Sequence, residues 1–316
     1  MNRNWIGMFT GAGLIGVLML SCVTAESLGR VEFRQRDKLV AGFQKEPLPT
    51  PVGGEKFAAS AFIHPFRTPG GFELTTIQPS DHLHHFGIWW PWKYIEVEGK
   101  KYNTWEIQEL RGAHVTREVR ELPWTNNAIK AWEIHNETLI KSKQGDSKVA
   151  IHEVAHVTVQ ATDEATVLDL TLRQKAGGTL VTIVNYLYSG FSWRGPQQWN
   201  KDNSTMLTSA GKGRENANGT PARWVVVSGP TTNGMASILL LSAAERLAGN
   251  PEKLRVWGAA NHNGEPFVNF NPVMQKSMPL EDASPAVALR KYRVIAMDKA
   301  IDAVTAEAEW KKWIAD

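Results

Sequence analysis

The fold class of this chain is decided by two neighbouring runs of sequence, Val154-Ala155-His156-Val157-Thr158-Val159 and Thr166-Val167-Leu168-Asp169-Leu170-Thr171-Leu172. In both runs, apolar residues recur at every second position, and β-branched side chains are frequent. Alternation with a period of two predicts strands that bury one face. The two runs therefore predict β-structure in the middle of the chain.

The same pattern extends from about Lys56 onward. Further strands are predicted at residues 180–186, 223–227 and 288–295, with turn signals at Pro69-Gly70-Gly71, Ala176-Gly177-Gly178 and Asn218-Gly219. Short strands divided by turns at this density predict an all-β fold, one large antiparallel β-sandwich. The tail, residues 302–314, carries Trp310 and Trp313 on one face and predicts a short C-terminal helix. No repeat or linker interrupts residues 26–316, so we predict a single domain there.

The N-terminus predicts a secretory signal peptide over residues 1–25. Arg3 precedes an uncharged apolar run from Trp5 to Leu20, and small residues follow as far as Ala25. The run is shorter than the roughly 20 residues of a membrane-spanning helix, so no transmembrane span is predicted. Cleavage after Ala25 and lipid attachment at Cys22, the only cysteine, are both open. We expect export to the periplasm or cell surface, with membrane attachment only if Cys22 is lipidated.

Charge and composition argue against two classes of ligand. The chain has 35 basic and 32 acidic residues, a formal net charge of +3, and no long basic block, so nucleic-acid binding is not expected. No glycine-rich loop follows a predicted strand, so a bound dinucleotide is not expected either.

The chain has 13 tryptophans against 5 tyrosines. This excess favours a carbohydrate ligand, because an indole ring stacks on a sugar face as well as filling a core.

One motif calls for rejection. His152-Glu153-Val154-Ala155-His156 matches HExxH, the signature of zinc proteases. That chemistry needs a helix, in which residues four apart lie about 6 Å from each other on one face. Here the run continues into Val157-Thr158-Val159 and predicts a strand, in which residues four apart are about 13 Å apart. Two histidines at that distance cannot bind one zinc ion, so no zinc site is predicted at this motif.

The densest functional signal is the run Asp81-His82-Leu83-His84-His85-Phe86-Gly87-Ile88-Trp89-Trp90-Pro91-Trp92. Imidazoles this close together transfer protons near neutral pH or bind a divalent metal, and an adjacent carboxylate fixes their tautomer. We predict that His84 and His85 act as acid and base. We expect His82 and Asp81 to orient them.

Other candidate residues surround this run. Glu106 is a candidate general base. The predicted substrate-binding residues are His64, Arg67, Trp89, Trp90, Trp92, Arg194 and Arg214. The planar forks of arginine clamp hydroxyl groups or a carboxylate, and tryptophan supplies a stacking surface for a sugar. The run Asn261-His262-Asn263-Gly264 predicts a polar turn first, and part of the rim of the site second.

Three interpretations of function remain open at this point. The first is an enzyme that acts on a glycoside or a modified (keto) sugar by epimerisation, elimination or hydrolysis; a hydrolase with a carboxylate pair would have only Glu106 and Asp81. The second is a non-catalytic carbohydrate-binding surface protein. The third is a metal-dependent enzyme in which His82, His84 and His85 bind a divalent ion. Neighbouring residues of a strand point to opposite faces, so the third requires a loop or bulge. No other cofactor is predicted.

Motifs along most of the chain point to one bacterial family. They are His64-Pro65, the run from Asp81 to Trp90, Asn103-Thr104-Trp105-Glu106, Gly211-Lys212-Gly213-Arg214-Glu215-Asn216, Pro221-Ala222-Arg223-Trp224-Val225 and the end from Leu289 to Glu307. In these the chain resembles the PmoA-like family, an exported domain of unknown function named after a methane monooxygenase subunit. The resemblance implies a sandwich similar to sugar mutarotases. A membrane monooxygenase is not expected, because such a subunit needs several apolar spans.

Overall fold

The structure is a computed structural model that describes residues 29–123, 128–142, 144–280 and 289–315. The predicted signal peptide, residues 1–25 with Cys22, lies outside the described residues. None of the helices in the described ranges is long and apolar enough to cross a membrane.

The described residues form nineteen strands and two α-helices. In chain order they are β1 Arg30–Gln35, β2 Lys38–Gln44, β3 Phe62–Phe66, β4 Ile88–Trp89, β5 Tyr94–Val97, β6 Lys100–Asn103, β7 Gly112–Glu121, β8 Ile129–Lys141, β9 Ser147–Ala161, β10 Thr166–Ala176, β11 Val181–Ile183, β12 Ser192–Arg194, β13 Thr205–Thr208, β14 Trp224–Thr231, β15 Gly234–Ser242, α1 Ala244–Ala248, β16 Lys253–Val256, β17 Phe267–Asn271, β18 Met278–Leu280, β19 Leu289–Met297 and α2 Ala303–Ala315.

These strands pair into three antiparallel sheets. The first has seven strands in the order β1-β2-β3-β4-β12-β17-β16, the second has eight in the order β13-β14-β15-β19-β10-β9-β8-β7, and the third has four in the order β18-β11-β5-β6. The main core includes Ile63 and Trp193 of the first sheet and Val157 and Leu170 of the second. The two larger sheets therefore bury a common apolar interior, which confirms the predicted antiparallel β-sandwich.

The central residues of the alternating runs lie on buried strand faces, as predicted. Leu168 of β10 lies opposite Val159 of β9, and both side chains are in the main core. The strand predicted over residues 180–186 is shorter, because the chain leaves the third sheet after β11. There the side-chain amide of Asn185 donates to the carbonyl of Val273 at 2.8 Å instead of continuing the ladder.

The C-terminal helix forms as predicted, as α2. Its Trp310 is buried and donates from Nε1 to the carbonyl of Ser242 at 3.0 Å. Together with Trp224 and Leu241 it forms a smaller core on the second sheet. The helix therefore covers the face of that sheet that is not used by the sandwich core.

The HExxH run lies within β9, as the alternation predicted. His152 and His156 are partly exposed, whereas Glu153 is buried on the other face. Glu153 accepts hydrogen bonds from Nε1 of Trp90 at 2.9 Å and from the side-chain amide of Asn136 at 2.8 Å. The histidines and the glutamate of the motif therefore point to opposite sides of one strand, and the strand predicted for this run is confirmed.

The first sheet has a second face that points away from the main core. Ile88 and Trp193 face the interior, and the alternation sends their neighbours Trp89 and Arg194 to the opposite face. Phe267 of β17 joins Trp89 there in a separate aromatic cluster. This outer face of the first sheet carries the candidate site.

Candidate functional site

The histidine loop, residues 78–87, covers the outer face of the first sheet. It is a pair of turns, with the backbone N–H of His85 donating to the carbonyl of His82 at 3.0 Å. The loop ends at Gly87, whose φ of +60° favours glycine and whose Cβ would lie 2.5 Å from the carbonyl oxygen of Ile63. A loop, unlike a strand, lets neighbouring side chains converge on one side.

The three imidazoles of the loop contact one another. The ring centroids of His82 and His85 are 4.5 Å apart, and that of His84 lies 5.0 Å from His85. His85 is buried, with the ring of Phe267 stacked 5.2 Å away and Trp89 at 5.0 Å. Burial lowers the pKa of His85 well below its usual value, and the charges of the other two imidazoles act in the same direction. The structure therefore places a neutral His85 behind the two more exposed histidines.

Glu106 forms a second group with Lys93 and Tyr188, and its charge acts on His84; these four residues are here called the Glu106 cluster. The Lys93 ammonium is hydrogen-bonded to Oε2 of Glu106, and the Tyr188 hydroxyl donates to Oε1 at 2.8 Å. Burial raises the pKa of Glu106, but Lys93 and Tyr188 outweigh it and the net shift is downward. Burial also lowers the pKa of His84 to about 4, against the opposing charge of Glu106. The cluster thus holds an ionised carboxylate beside a neutral imidazole.

The exposed aromatic surface beside Glu106 comes from tyrosines. Tyr94, Tyr186 and Tyr188 are each half-buried and meet edge to face, with centroids 5.2 Å and 5.0 Å apart along the series. The ammonium of Lys93 lies 4.7 Å from the ring centroid of Tyr94. Partly exposed aromatic rings therefore lie next to two opposite charges.

The three tryptophans of the loop region are buried and at most 3% exposed. Trp89 packs beneath the histidine loop. Trp90 enters the sandwich core and bonds Glu153, whereas Trp92 packs under the third sheet and donates to Gln174 at 3.2 Å. They act as core residues in three different clusters and present no free face to a sugar.

His64 and Arg67 belong to a separate group on and beside β3. Arg67 donates to Glu73 at 2.9 Å, and Nδ1 of His64 lies 2.9 Å from the hydroxyl of Thr75. Burial lowers the pKa of His64 to about 4. Across the described ranges, no hydrogen bond or ion pair joins these side chains to the histidine loop.

Arg214 is buried and supports a turn. It donates from Nη1 to the carbonyl of Gly264 and from Nη2 to the hydroxyl of Ser204 at 2.7 Å. Its guanidinium therefore holds residues 262–264 in place, and its role in this structure is to position that turn.

The carboxylate of Asp81 contacts the side chains of His82, His262 and Arg194. Nδ1 of His82 lies 2.9 Å from its Oδ2, and Nδ1 of His262 lies 3.4 Å from the same oxygen. Arg194 donates from Nη2 to both oxygens at 3.2 Å and also pairs with Glu265. Burial raises the pKa of Asp81, but the bond to His82 and the charge of Arg194 reverse the shift and lower it. We call Asp81, His82 and His262 the Asp81 cluster.

Sequence reasoning missed several residues of this site. Lys93 follows directly after the tryptophan run, so its position was a usable signal. Tyr188 and Trp257 are more than 100 residues from the histidine loop, and nothing in their local sequence marks them. His262 was predicted mainly as a turn residue, but its ring lies 4.0 Å from Trp257 and 4.8 Å from His82.

Comparison with solved structures finds distant similarity. A galactose mutarotase-like protein from Lactobacillus casei is 9% identical with a TM-score of 0.44, over 85% of this chain and 99% of that one. A galactose mutarotase related enzyme from Lactobacillus acidophilus is 8% identical with a TM-score of 0.37, over 73% and 88%. A GH36 alpha-galactosidase from Geobacillus stearothermophilus is 10% identical with a TM-score of 0.34, over 65% and 29%. No curated protein matches the sequence.

Comparison with family models gives a match over almost all of the described chain. The model of DUF6807, a family of unknown function, matches residues 30–311. The matching model does not carry the PmoA-like name, so that part of the resemblance is not confirmed. The chain belongs to the family of unknown function DUF6807.

Proposed function

We propose that this protein is an exported carbohydrate-active enzyme that transfers a proton at a glycoside or modified sugar, with its site at the Glu106 cluster. The observation that carries the proposal is the electrostatic interaction of two groups at a partly exposed surface. One is the carboxylate of Glu106, held ionised by Lys93 and Tyr188, and the other is the neutral imidazole of His84. A neutral imidazole accepts a proton, and an adjacent negative charge stabilises the imidazolium that forms.

The surroundings suit a polyhydroxylated ligand. Tyr94, Tyr186 and Tyr188 offer half-exposed rings, and aromatic rings with a polar end pair well with a ligand that has both apolar faces and hydroxyls. Arg255 adds a cation near these residues, because its charge acts on His262 and Tyr188 in turn acts on the pKa of Arg255. We assign sugar contact to these residues in place of the buried tryptophans.

A non-catalytic sugar-binding protein is the second candidate, and one observation favours it. Both oxygens of Glu106 already accept hydrogen bonds within the protein, from Lys93 and Tyr188. A carboxylate held in this way is better suited to fix charge than to accept a proton, and a fixed site is also what a binding module requires.

An NMR time course separates the two candidates. Purified protein is incubated with a panel of glycosides and their keto derivatives, beside the variant His84→Ala and the control His135→Ala, whose histidine lies on β8 of the second sheet. Enzymatic function predicts new anomeric or elimination signals that are lost in His84→Ala and retained in the control. Ligand line-broadening without turnover would instead identify a binding protein. Absence of both turnover and broadening would contradict carbohydrate function.

A further inference from the structure

The Asp81 cluster has the geometry of a metal site. One ligand-type atom from each of Asp81, His82 and His262 lies within 4.8 Å of the other two. Oδ2 of Asp81 is 2.9 Å and 3.4 Å from the two Nδ1 atoms. Around a tetrahedral zinc ion with bonds of 2.0–2.1 Å, neighbouring ligand atoms are about 3.4 Å apart. The cluster therefore needs only small side-chain rotations to close around an ion.

The two imidazoles are held in place by packing. The ring of His82 stacks on His85 at 4.5 Å, and the ring of His262 lies 4.0 Å from Trp257. His262 and Asn263 both have left-handed backbone, with φ of +48° and +52°. Non-glycine residues with this backbone are strained, and such strain concentrates at functional sites. The chain thus accepts strain in the turn that brings His262 to Asp81.

Two carboxylates lie in the hydrogen-bonded group behind the cluster. The guanidinium of Arg194 contacts the carboxylates of both Asp81 and Glu265. Arg194 balances one of these two anions, and Arg255 is a second cation, whose charge acts on His262. The side chain of Arg194 is fully buried, so it stays fixed behind Asp81. An outer-shell partner of this kind orients a metal-binding carboxylate.

We propose that Asp81, His82 and His262 bind one divalent transition-metal ion, for which Zn²⁺ is the best match. Two imidazole nitrogens exclude Mg²⁺ and Ca²⁺ as preferred ions, since those take oxygen ligands. The side chains of Asp81, His82 and His262 are 28%, 24% and 38% exposed. Three protein ligands with an open side are the arrangement of catalytic zinc sites, in which the remaining position takes water or substrate. This set of ligands differs from the one in the third interpretation of the sequence, because His84 and His85 are not among the ligands.

Metal content tests this proposal directly. The protein is purified without a polyhistidine tag, stripped with a chelator and titrated with Zn²⁺, and Co²⁺ is added in parallel for its visible absorption. We expect one ion per chain and a Co²⁺ spectrum typical of mixed nitrogen and oxygen ligands. His262→Gln and His82→Gln should each weaken Zn²⁺ binding by at least about 100-fold, since even outer-shell losses cost 10–100-fold. His135→Gln is the matched control and should bind as the wild type does.

Two outcomes would overturn the proposal. One is a wild-type protein that takes up no Zn²⁺ or Co²⁺ at 1:1, and the other is unchanged affinity in both histidine variants. Asp81→Asn completes the series, but Asp81 also pairs with Arg194. If that variant does not fold, His262→Gln decides, because its side chain lies on a partly exposed turn. The readout is metal binding, so it is independent of whether the Glu106 cluster turns over a sugar.

Discussion

Tyr188 donates its hydroxyl to Oε1 of Glu106 at 2.8 Å, across 82 residues of sequence. The other oxygen of the carboxylate is bonded to Lys93, which is itself buried. Hydrogen bonds to a charged group are worth about 1.5–3 kcal/mol. Two such donors keep Glu106 ionised although it is partly buried, and this charge acts on His84.

Removal of the Tyr188 hydroxyl is expected to weaken the proposed sugar chemistry. Tyr188→Phe takes away one donor and lets burial raise the pKa of Glu106. We expect kcat/KM for the sugar identified by NMR to fall about 10- to 30-fold. The control Tyr102→Phe alters a tyrosine that packs against the core of the third sheet. Equal kcat/KM values for Tyr188→Phe and Tyr102→Phe would show that Tyr188 is not part of the site.

His64 predicts acid sensitivity of the fold. Burial lowers its pKa from 6.5 to about 4; the charges of Arg30 and Arg67 add to this, and that of Glu73 opposes it. Between pH 6.5 and pH 4, the unfolded chain binds a proton at His64 that the folded chain does not bind. The stability that neutral His64 contributes is therefore fully present above pH 6.5 and is lost as the pH falls to 4. This contribution is about 3 kcal/mol.

His64→Asn should remove this part of the pH dependence. Asparagine retains a polar atom near the Thr75 hydroxyl but does not titrate. Urea unfolding at pH 7 and pH 4.5 measures the change in the free energy of unfolding. The control His135→Asn should keep the wild-type slope, because His135 is a partly exposed residue on the second sheet. If the free energy of unfolding depends on pH equally in the wild type, His64→Asn and His135→Asn, then His64 does not cause this pH dependence.

Glu153 is expected to be important for stability. It is buried and accepts from Trp90 and Asn136 on one oxygen and from Gln174 on the other. In Glu153→Gln one oxygen becomes an amide donor and faces another donor, so we expect a loss of about 2–3 kcal/mol in the free energy of unfolding. The exposed control Glu118→Gln should change it by less than about 0.5 kcal/mol. Chemical denaturation that finds equal effects would argue against this buried network.

Substitution of Gly87 tests whether the backbone conformation at the end of the histidine loop requires glycine. Gly87→Ala adds a methyl group 2.5 Å from the carbonyl oxygen of Ile63, at a φ of +60°. Gly211 has a similar φ of +67° and open space around it. We expect Gly211→Ala to cost about 1 kcal/mol for the backbone alone and Gly87→Ala to cost more than about 2 kcal/mol. Thermal unfolding of both variants measures the difference, and equal losses would show that Ile63 does not restrict this position.

The sequence by itself determined the class of fold and most of its parts. Alternation placed Val157 and Leu168 on buried strand faces, and amphipathic spacing placed Trp310 on a helix. These features are local, because the period of a strand or helix decides which side chains share a face. The HExxH run was rejected on the same physical ground. The histidine run was also recognisable, since close imidazoles beside a carboxylate are a chemical signal in any fold.

Only the tertiary structure decided which of these residues can act. Trp89, Trp90 and Trp92 are near neighbours in sequence, yet they pack into three separate cores. His85 is buried by Phe267, and His262 meets Asp81 from 181 positions away along the chain. Such contacts depend on strand order and register, through which residues distant in sequence become neighbours. Local pattern carries no record of that pairing, so the partners of the site appear only once the sheets are assembled.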